Sequence, residues 1–337
     1  MSRSRLHGLT VLLLLFATSV AGPAARAQAA TPSHRPDFAT PTASGAFAGL
    51  IDIEGGRRLW LECQGQGSPT VVLEAGYRSP ATVWTDDLMQ PEQPRTMVFA
   101  GVAQFTRVCI YERPGAAGII GGELQPSRSD PVPMPRSAES VITDLHALLR
   151  SAAVPGPYVL VGHSLGGLFV RLYAATYPEE IEGLVLVDAW SEDLKDLLTP
   201  EQWEAYVQFN SVVPPEMAEY VDYETLDFAA ASEVMATAAG EQPLPALPLV
   251  VIAHGQPFGV PESGLGFPPE TLEVAWRTAQ EQLARRVPDS RFVVAEESAH
   301  YVQLQQPELV ITVIQQVVEA VRDPGRWKML AVSTPGP

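Results

Sequence analysis

A chain of 337 residues that is 46% hydrophobic and 18% charged can bury a large core, which excludes a disordered or fibrous class. Its formal charge of −17, with no basic run to offset it, excludes electrostatic attraction to nucleic acid or to anionic lipid. Charge alone says nothing more about its chemistry.

Arg3 and Arg5 precede an apolar run over 9–20 and a small-residue stretch containing Ala25-Arg26-Ala27, the three parts of a secretory signal peptide. The run is shorter than the roughly 20 residues that cross a bilayer as a helix. Residues 1–27 are therefore expected to be cleaved near Ala27, leaving a secreted or periplasmic protein without a membrane span, the alternative being an uncleaved anchor. Losing them removes Arg3, Arg5 and Arg26 and no acid, so the charge goes from −17 to −20. Residues 28–44, rich in Ala, Pro, Ser and Thr, read as a flexible leader.

From residue 45 the pattern becomes regular. Leu50-Ile51-Asp52-Ile53, a Gly55-Gly56 turn and 58–63 read as an opening hairpin. Strand-like runs at 70–73, 107–111, 158–161, 183–187, 247–252 and 291–295 then alternate with helical stretches at 137–151, 165–177, 269–286 and 307–321. This predicts an α/β fold whose mainly parallel sheet has eight strands, counting the hairpin, with helices on both faces. In the last helix Leu309, Val313, Ile314, Val317 and Val321 recur at helical spacing and should face the core. The catalytic domain would run over 45–325, with 326–337 as a C-terminal tail.

Residues 190–245 break the alternation. They are too long for an ordinary connection and carry Trp203, Tyr206, Phe209, Tyr220, Tyr223 and Phe228. Ligands of open α/β sheets bind beyond the carboxyl ends of the strands, so this helical insertion is expected to cap a site there, or else simply to pack as added helices. Cys63 and Cys109 are the only cysteines. Each lies on a predicted strand, so they form one disulfide if the strands are neighbours and two buried thiols if not. Their spacing suggests no metal site.

The chemistry concentrates where Tyr158-Val159-Leu160-Val161 runs into Gly162-His163-Ser164-Leu165-Gly166 and out into a helix. A serine on so sharp a turn crowds the residues two before and two after it, and glycines at 162 and 166 relieve the crowding. The following helix aims its first amides and its dipole at the serine, where they favour developing negative charge.

On these residues the chain resembles the α/β-hydrolase superfamily, in the manner of its secreted bacterial-type serine esterases, over about residues 46 to 325. The resemblance implies that Ser164 is the nucleophile and that the amides of Leu165 and Tyr77 form the oxyanion hole. Relatives commonly carry His-Gly-x after the third strand. Here Leu73-Glu74-Ala75-Gly76-Tyr77 lacks the histidine but keeps the glycine turn, with Gly76 allowing close approach. The family's histidine follows the last strand, where Ser298-Ala299-His300 matches it. His254, after the penultimate strand, is the rival base. His7, His34 and His146 lie in the signal, the leader and a helix, and the side chain of His163 should leave the elbow in another direction.

The acid is open between two positions. Many relatives place it after the penultimate strand, but His254-Gly255-Gln256-Pro257-Phe258-Gly259 has no carboxylate and the nearest is Glu262. Some place it at an earlier strand end, where this chain has Val187-Asp188-Ala189. Asp188 is preferred and Glu262 is the alternative, although Asp188 could instead cap the insertion. Glu296 and Glu297 lie too near His300 in sequence to orient it. Tyr111-Glu112-Arg113-Pro114-Gly115 resembles the family's Tyr-Asp-Arg-x-Gly turn, which would have Arg113 hold loops near the site.

Together these residues imply a Ser-His-acid hydrolase that acts through an acyl-enzyme and needs no metal or organic cofactor. Its substrate is expected to be a small or medium, partly apolar carboxylic ester. An acyltransferase would use the same triad, and a hydrolase-fold binding protein would have lost catalysis while keeping the fold.

Overall fold

The computed structural model describes residues 45–120, 123–260 and 262–329. The signal peptide expected over 1–27 and the leader over 28–44 lie outside the described residues.

The described residues form ten strands: β1 (Phe47–Ile53), β2 (Arg57–Gln64), β3 (Thr70–Glu74), β4 (Val108–Tyr111), β5 (Ala117–Ile120), β6 (Glu123–Pro126), β7 (Tyr158–His163), β8 (Ile181–Val187), β9 (Leu249–His254) and β10 (Arg291–Ala295). Eight of them form one sheet in the order β1-β2-β4-β3-β7-β8-β9-β10. β1, β2 and β4 pair antiparallel, and every pairing from β4 onward is parallel. One strand in from the edge, β2 buries alternate residues, Leu59, Leu61 and Cys63, whereas β3, β4, β7 and β9 are buried throughout. That difference is what a sheet covered on both faces imposes on its central strands.

Alternate strand residues feed two cores. Val72, Leu160, Leu184, Leu186 and Val251 pack under helices α2 (Ala138–Ser151) and α3 (Leu165–Thr176). Val71, Val159, Val161, Val185, Val250 and Ile252 face α10 (Pro307–Arg322) and the short α1 (Val98–Val102). Val313, Ile314 and Val317 are buried as their spacing predicts, while Leu309 and Val321 are only partly buried at the margin of the same core. Local signals start the helices: Ser137 caps α2, and prolines open α8 (Pro269–Ala284) and α10.

Between β8 and β9 the chain makes α4 (Leu194–Leu197), α5 (Pro200–Ser211) and α6 (Phe228–Glu241). Thr199 and Gln202 form a reciprocal capping box at the start of α5. Trp203, Tyr206 and Phe228 join Trp190 in one aromatic cluster, so these helices share the core of α2 and α3. Short helices among the described residues also include α7 (Glu262–Leu265), α9 (Val302–Gln305) and α11 (Pro324–Met329).

The β5-β6 hairpin has no counterpart in the sequence reading, because β6 is exposed along its length and has no hydrophobic period. Nor does α11. Residues 326–329, expected as the start of the tail, belong to this helix, where Trp327 packs under the Arg291 guanidinium at 3.9 Å and donates to the Asp289 carbonyl. Cys63 and Cys109 stand opposite each other in register across β2 and β4 and are joined by a disulfide. No helix among the described residues is long and apolar enough to cross a membrane.

Candidate active site

Ser164 sits between the end of β7 and the start of α3 with φ 51° and ψ −125°, a conformation that costs energy for any residue with a side chain. Its amide donates to the Val187 carbonyl of the neighbouring strand, and its carbonyl accepts from the amides of Gly167 and Trp190 at 2.9 and 2.7 Å. The surroundings leave no room for side chains. A Cβ at Gly162 would lie 2.5 Å from the Gly166 carbonyl oxygen, and one at Gly166 would lie 2.6 Å from the carbonyl oxygens of Glu74 and Ala75.

Gly76, after β3, brings the next loop against the serine. A Cβ there would lie 3.1 Å from the Ser164 Cβ and 2.9 Å from Nδ1 of His163. Tyr77 follows immediately, so its amide stands beside the elbow together with that of Leu165. Among the described residues neither amide donates to another backbone carbonyl.

This loop is gripped from beneath. Arg113, buried after β4, donates to the carbonyls of Ala75 and Gly76 at 2.9 and 2.6 Å, to Glu74, and to both oxygens of Glu224 at 2.6 and 2.9 Å. Glu224 comes from the segment between α5 and α6, and it also accepts from the Arg78 amide at 2.6 Å. Tyr111 donates to Glu74. Burial pushes the Glu74 carboxyl above its ordinary value, against the pull of Arg113. Because C=O and N–H point opposite ways across a trans peptide, binding the Gly76 carbonyl from one side leaves the Tyr77 amide directed to the other.

Opposite, His300 follows β10 and places Nδ1 2.6 Å from Oδ2 of Asp188, the residue directly after β8. Asp188 is fully buried and, like Ser164, has positive φ, 44°. It accepts also from Nδ1 of His254 at 2.8 Å and from Nε1 of Trp276 at 3.1 Å. Burial opposes its charge, but the bonds from His254 and His300 win and hold its carboxyl well below the usual carboxylate range. Glu262 opens α7, and its side chain lies outside the described residues.

His254 does not turn its second nitrogen to the serine. Nε2 is 2.9 Å from Glu273 of α8, so the imidazole bridges two carboxylates. Burial disfavours its charge, yet the hydrogen bonds to Asp188 and Glu273 raise it to about 9. His163 also differs from expectation. Instead of leaving the site, its ring lies 4.7 Å from that of His300, and Nε2 is 2.9 Å from the His300 carbonyl oxygen. Burial, followed by repulsion from His300, depresses it to about 3. It is therefore neutral, with its proton on Nε2 for donation to that carbonyl. Phe258, Trp276 and Tyr301 complete the ring of aromatic groups around His300.

The family follows from comparison with known proteins. Residues 71–313, well over half the chain, match the model of the alpha/beta hydrolase family. The chain belongs to the α/β-hydrolase family. An uncharacterized protein of Schizosaccharomyces pombe is 34% identical over 157 residues, 41% of this chain and 28% of that protein. RutD of Serratia proteamaculans, provisionally named a carbamate hydrolase, is 30% identical over 151 residues, 42% of this chain and 49% of its own length. The chain thus spans less than half the length of these curated relatives. Among solved structures, mouse alpha/beta hydrolase domain-containing protein 10 superposes with a TM-score of 0.55 at 16% identity, over 82% of this chain and 100% of that one. Est816, an N-acyl homoserine lactone degrading enzyme, gives 0.50 at 16% identity, over 79% of this chain and 99% of that one. These likenesses are of fold.

Glu273, Trp276 and Glu224 escaped the sequence reading. A signal for the first two existed: Glu273, Trp276 and Gln280 recur at three- and four-residue spacing on α8, and Gln280 bonds both the amide and the carbonyl of Ala189. Polar groups on the buried face of a helix mark something they must satisfy. Glu224 has no comparable local signal.

Proposed function

We propose that this α/β hydrolase cleaves carboxylic esters through Ser164, His300 and Asp188. The observation that carries the reading is the 2.6 Å bond from His300 Nδ1 to Asp188. It fixes the tautomer with Nε2 unprotonated, the nitrogen left to take the proton of Ser164. The serine oxygen then attacks the carbonyl, and the amides of Leu165 and Tyr77 hold the oxyanion. His300 passes its proton to the leaving alcohol, and water repeats the sequence on the acyl-enzyme. On this reading Glu262 has no catalytic role.

The aromatic residues of the insertion, with Tyr77 edge-on to Phe228 at 5.0 Å, favour a small or medium substrate with an apolar part. Carbamates and lactones, the substrates named for RutD and Est816, pass through the same tetrahedral chemistry and belong on the test panel beside p-nitrophenyl esters and amides. The Cys63–Cys109 disulfide suits an oxidising compartment and so agrees with export directed by residues 1–27.

A fluorophosphonate probe tests the nucleophile directly. Wild-type protein should label and Ser164→Ala should not. Failure of the folded wild type to label overturns the hydrolytic reading and leaves a binding protein.

A further inference from the structure

His254 stands where a neutral histidine has no good arrangement. Its Nδ1 lies 2.8 and 2.9 Å from the two oxygens of Asp188, and its Nε2 lies 2.9 Å from Oε2 of Glu273. Carboxylates only accept, so each ring nitrogen must donate, and that requires both protons. With one proton, one lone pair would face a carboxylate oxygen inside the protein. Glu273 is tied down in turn by the Phe258 amide at 2.6 Å, and its side chain is partly exposed. The ring itself is buried beside Phe258, 4.5 Å between centroids. Other titratable or charged groups packed around it are Arg277, which donates to the His254 carbonyl, and His300, with His163 beyond.

The charge count then has a consequence for the base. Asp188 carries one negative charge and serves two histidines from the same pair of oxygens. Were His254 neutral, the whole charge of Asp188 would favour a proton on His300. A cation at His254 offsets that charge and leaves the orienting hydrogen bond in place. We propose that His254 is a positioning residue, held as an imidazolium between Asp188 and Glu273, and that its charge weakens the hold of Asp188 on a proton at His300. The role assigned to His300 rests on the catalytic reading above, and the charge state of His254 does not.

NMR of full-length protein labelled with ¹⁵N at histidine reads both titrations without any substrate. Both ring nitrogens of His254, assigned by their loss in His254→Gln, should be protonated at pH 7.5. The titration midpoint of His300 should rise by about one pH unit in His254→Gln. Glu273→Gln, which keeps the ring and serves if the first variant does not fold, should move the His254 midpoint to lower pH. A bare nitrogen on His254 at pH 7.5, or a His300 midpoint unmoved in His254→Gln, overturns the proposal, as does a His254 midpoint unmoved in Glu273→Gln. The acid limb of kcat/KM on a p-nitrophenyl ester should follow the His300 midpoint upward. If the NMR midpoints shift as expected and no ester is turned over by any of the proteins, the inference about His254 stands and the hydrolytic reading is what fails.

Discussion

The two flanks of the candidate site are built on different principles. On the acid flank, Asp188 and His254 stand at the ends of neighbouring parallel strands, β8 and β9, and α8 supplies Glu273 and Trp276. Charges there sit on the groups proposed to do the chemistry. On the oxyanion flank, the groups proposed to act are backbone amides, and the charges lie underneath, where Arg113 binds Glu74, Glu224 and two loop carbonyls. One flank tunes a proton, and the other holds a shape. Substitutions on the first should therefore change rate and pH dependence, and on the second they should change stability and loop geometry.

The largest effect is expected from Asp188→Asn. The amide can present its N–H to His300 Nδ1 and so favour the wrong tautomer, with the proton on Nε2. Turnover of a p-nitrophenyl ester should fall by about 10⁴-fold while fluorophosphonate labelling slows in parallel. A fall of less than tenfold would break the assignment of Asp188 as the orienting acid.

On the other flank, Arg113→Met would strand two buried carboxylates. Removing one partner of a buried ion pair costs about 3–5 kcal/mol, readable as a lower urea midpoint with unchanged slope. Glu224→Gln is milder, because Arg113 keeps Glu74 and both carbonyls. Here kcat should drop by less than the roughly 10²–10³-fold that loss of a whole oxyanion donor brings, with KM nearly constant. A change confined to KM would mean that Glu224 shapes a binding surface and not the oxyanion loop.

How far the sequence could be read follows the same division. The strand-turn-helix around Ser164, the glycines that it needs, the strand-end aspartate and the histidine after the last strand all carry local signatures, because each is fixed by backbone sterics or by its place along a strand. The eight-stranded sheet was legible for the same reason, since central strands buried on both faces must be apolar throughout. Glu224 and the β5-β6 hairpin were not. Glu224 reaches Arg113 across 111 positions of sequence, and nothing in its own neighbourhood distinguishes it from a solvated acid. The hairpin is exposed and has no hydrophobic period. His163 shows a third limit: the motif revealed which residue precedes the nucleophile, but only the fold shows that a loop from 137 positions away returns its carbonyl to that ring.

His163 and His254 allow the sharpest comparison between the flanks, because they are displaced in opposite directions. His163, packed against Gly76, is depressed to about 3 by burial and then by His300, whereas His254 is raised to about 9 by its two carboxylates in spite of burial. In the unfolded chain both titrate near 6.5. Between pH 6.5 and 3 the unfolded state takes up a proton at position 163 that the native state refuses, so stability falls as the pH drops. Between 6.5 and 9 the native state keeps a proton at position 254 that the unfolded state releases, so stability present below 6.5 is lost as the pH rises. Each contributes a slope of up to about 1.4 kcal/mol per pH unit within its window. Urea midpoints measured across the pH range should therefore show His163→Gln flattening only the acid side and His254→Gln only the alkaline side. Acid slopes that coincide for wild type and His163→Gln would mean that the neutral histidine behind the nucleophile is not held neutral by its burial, and the contrast between the two flanks would lose its electrostatic half.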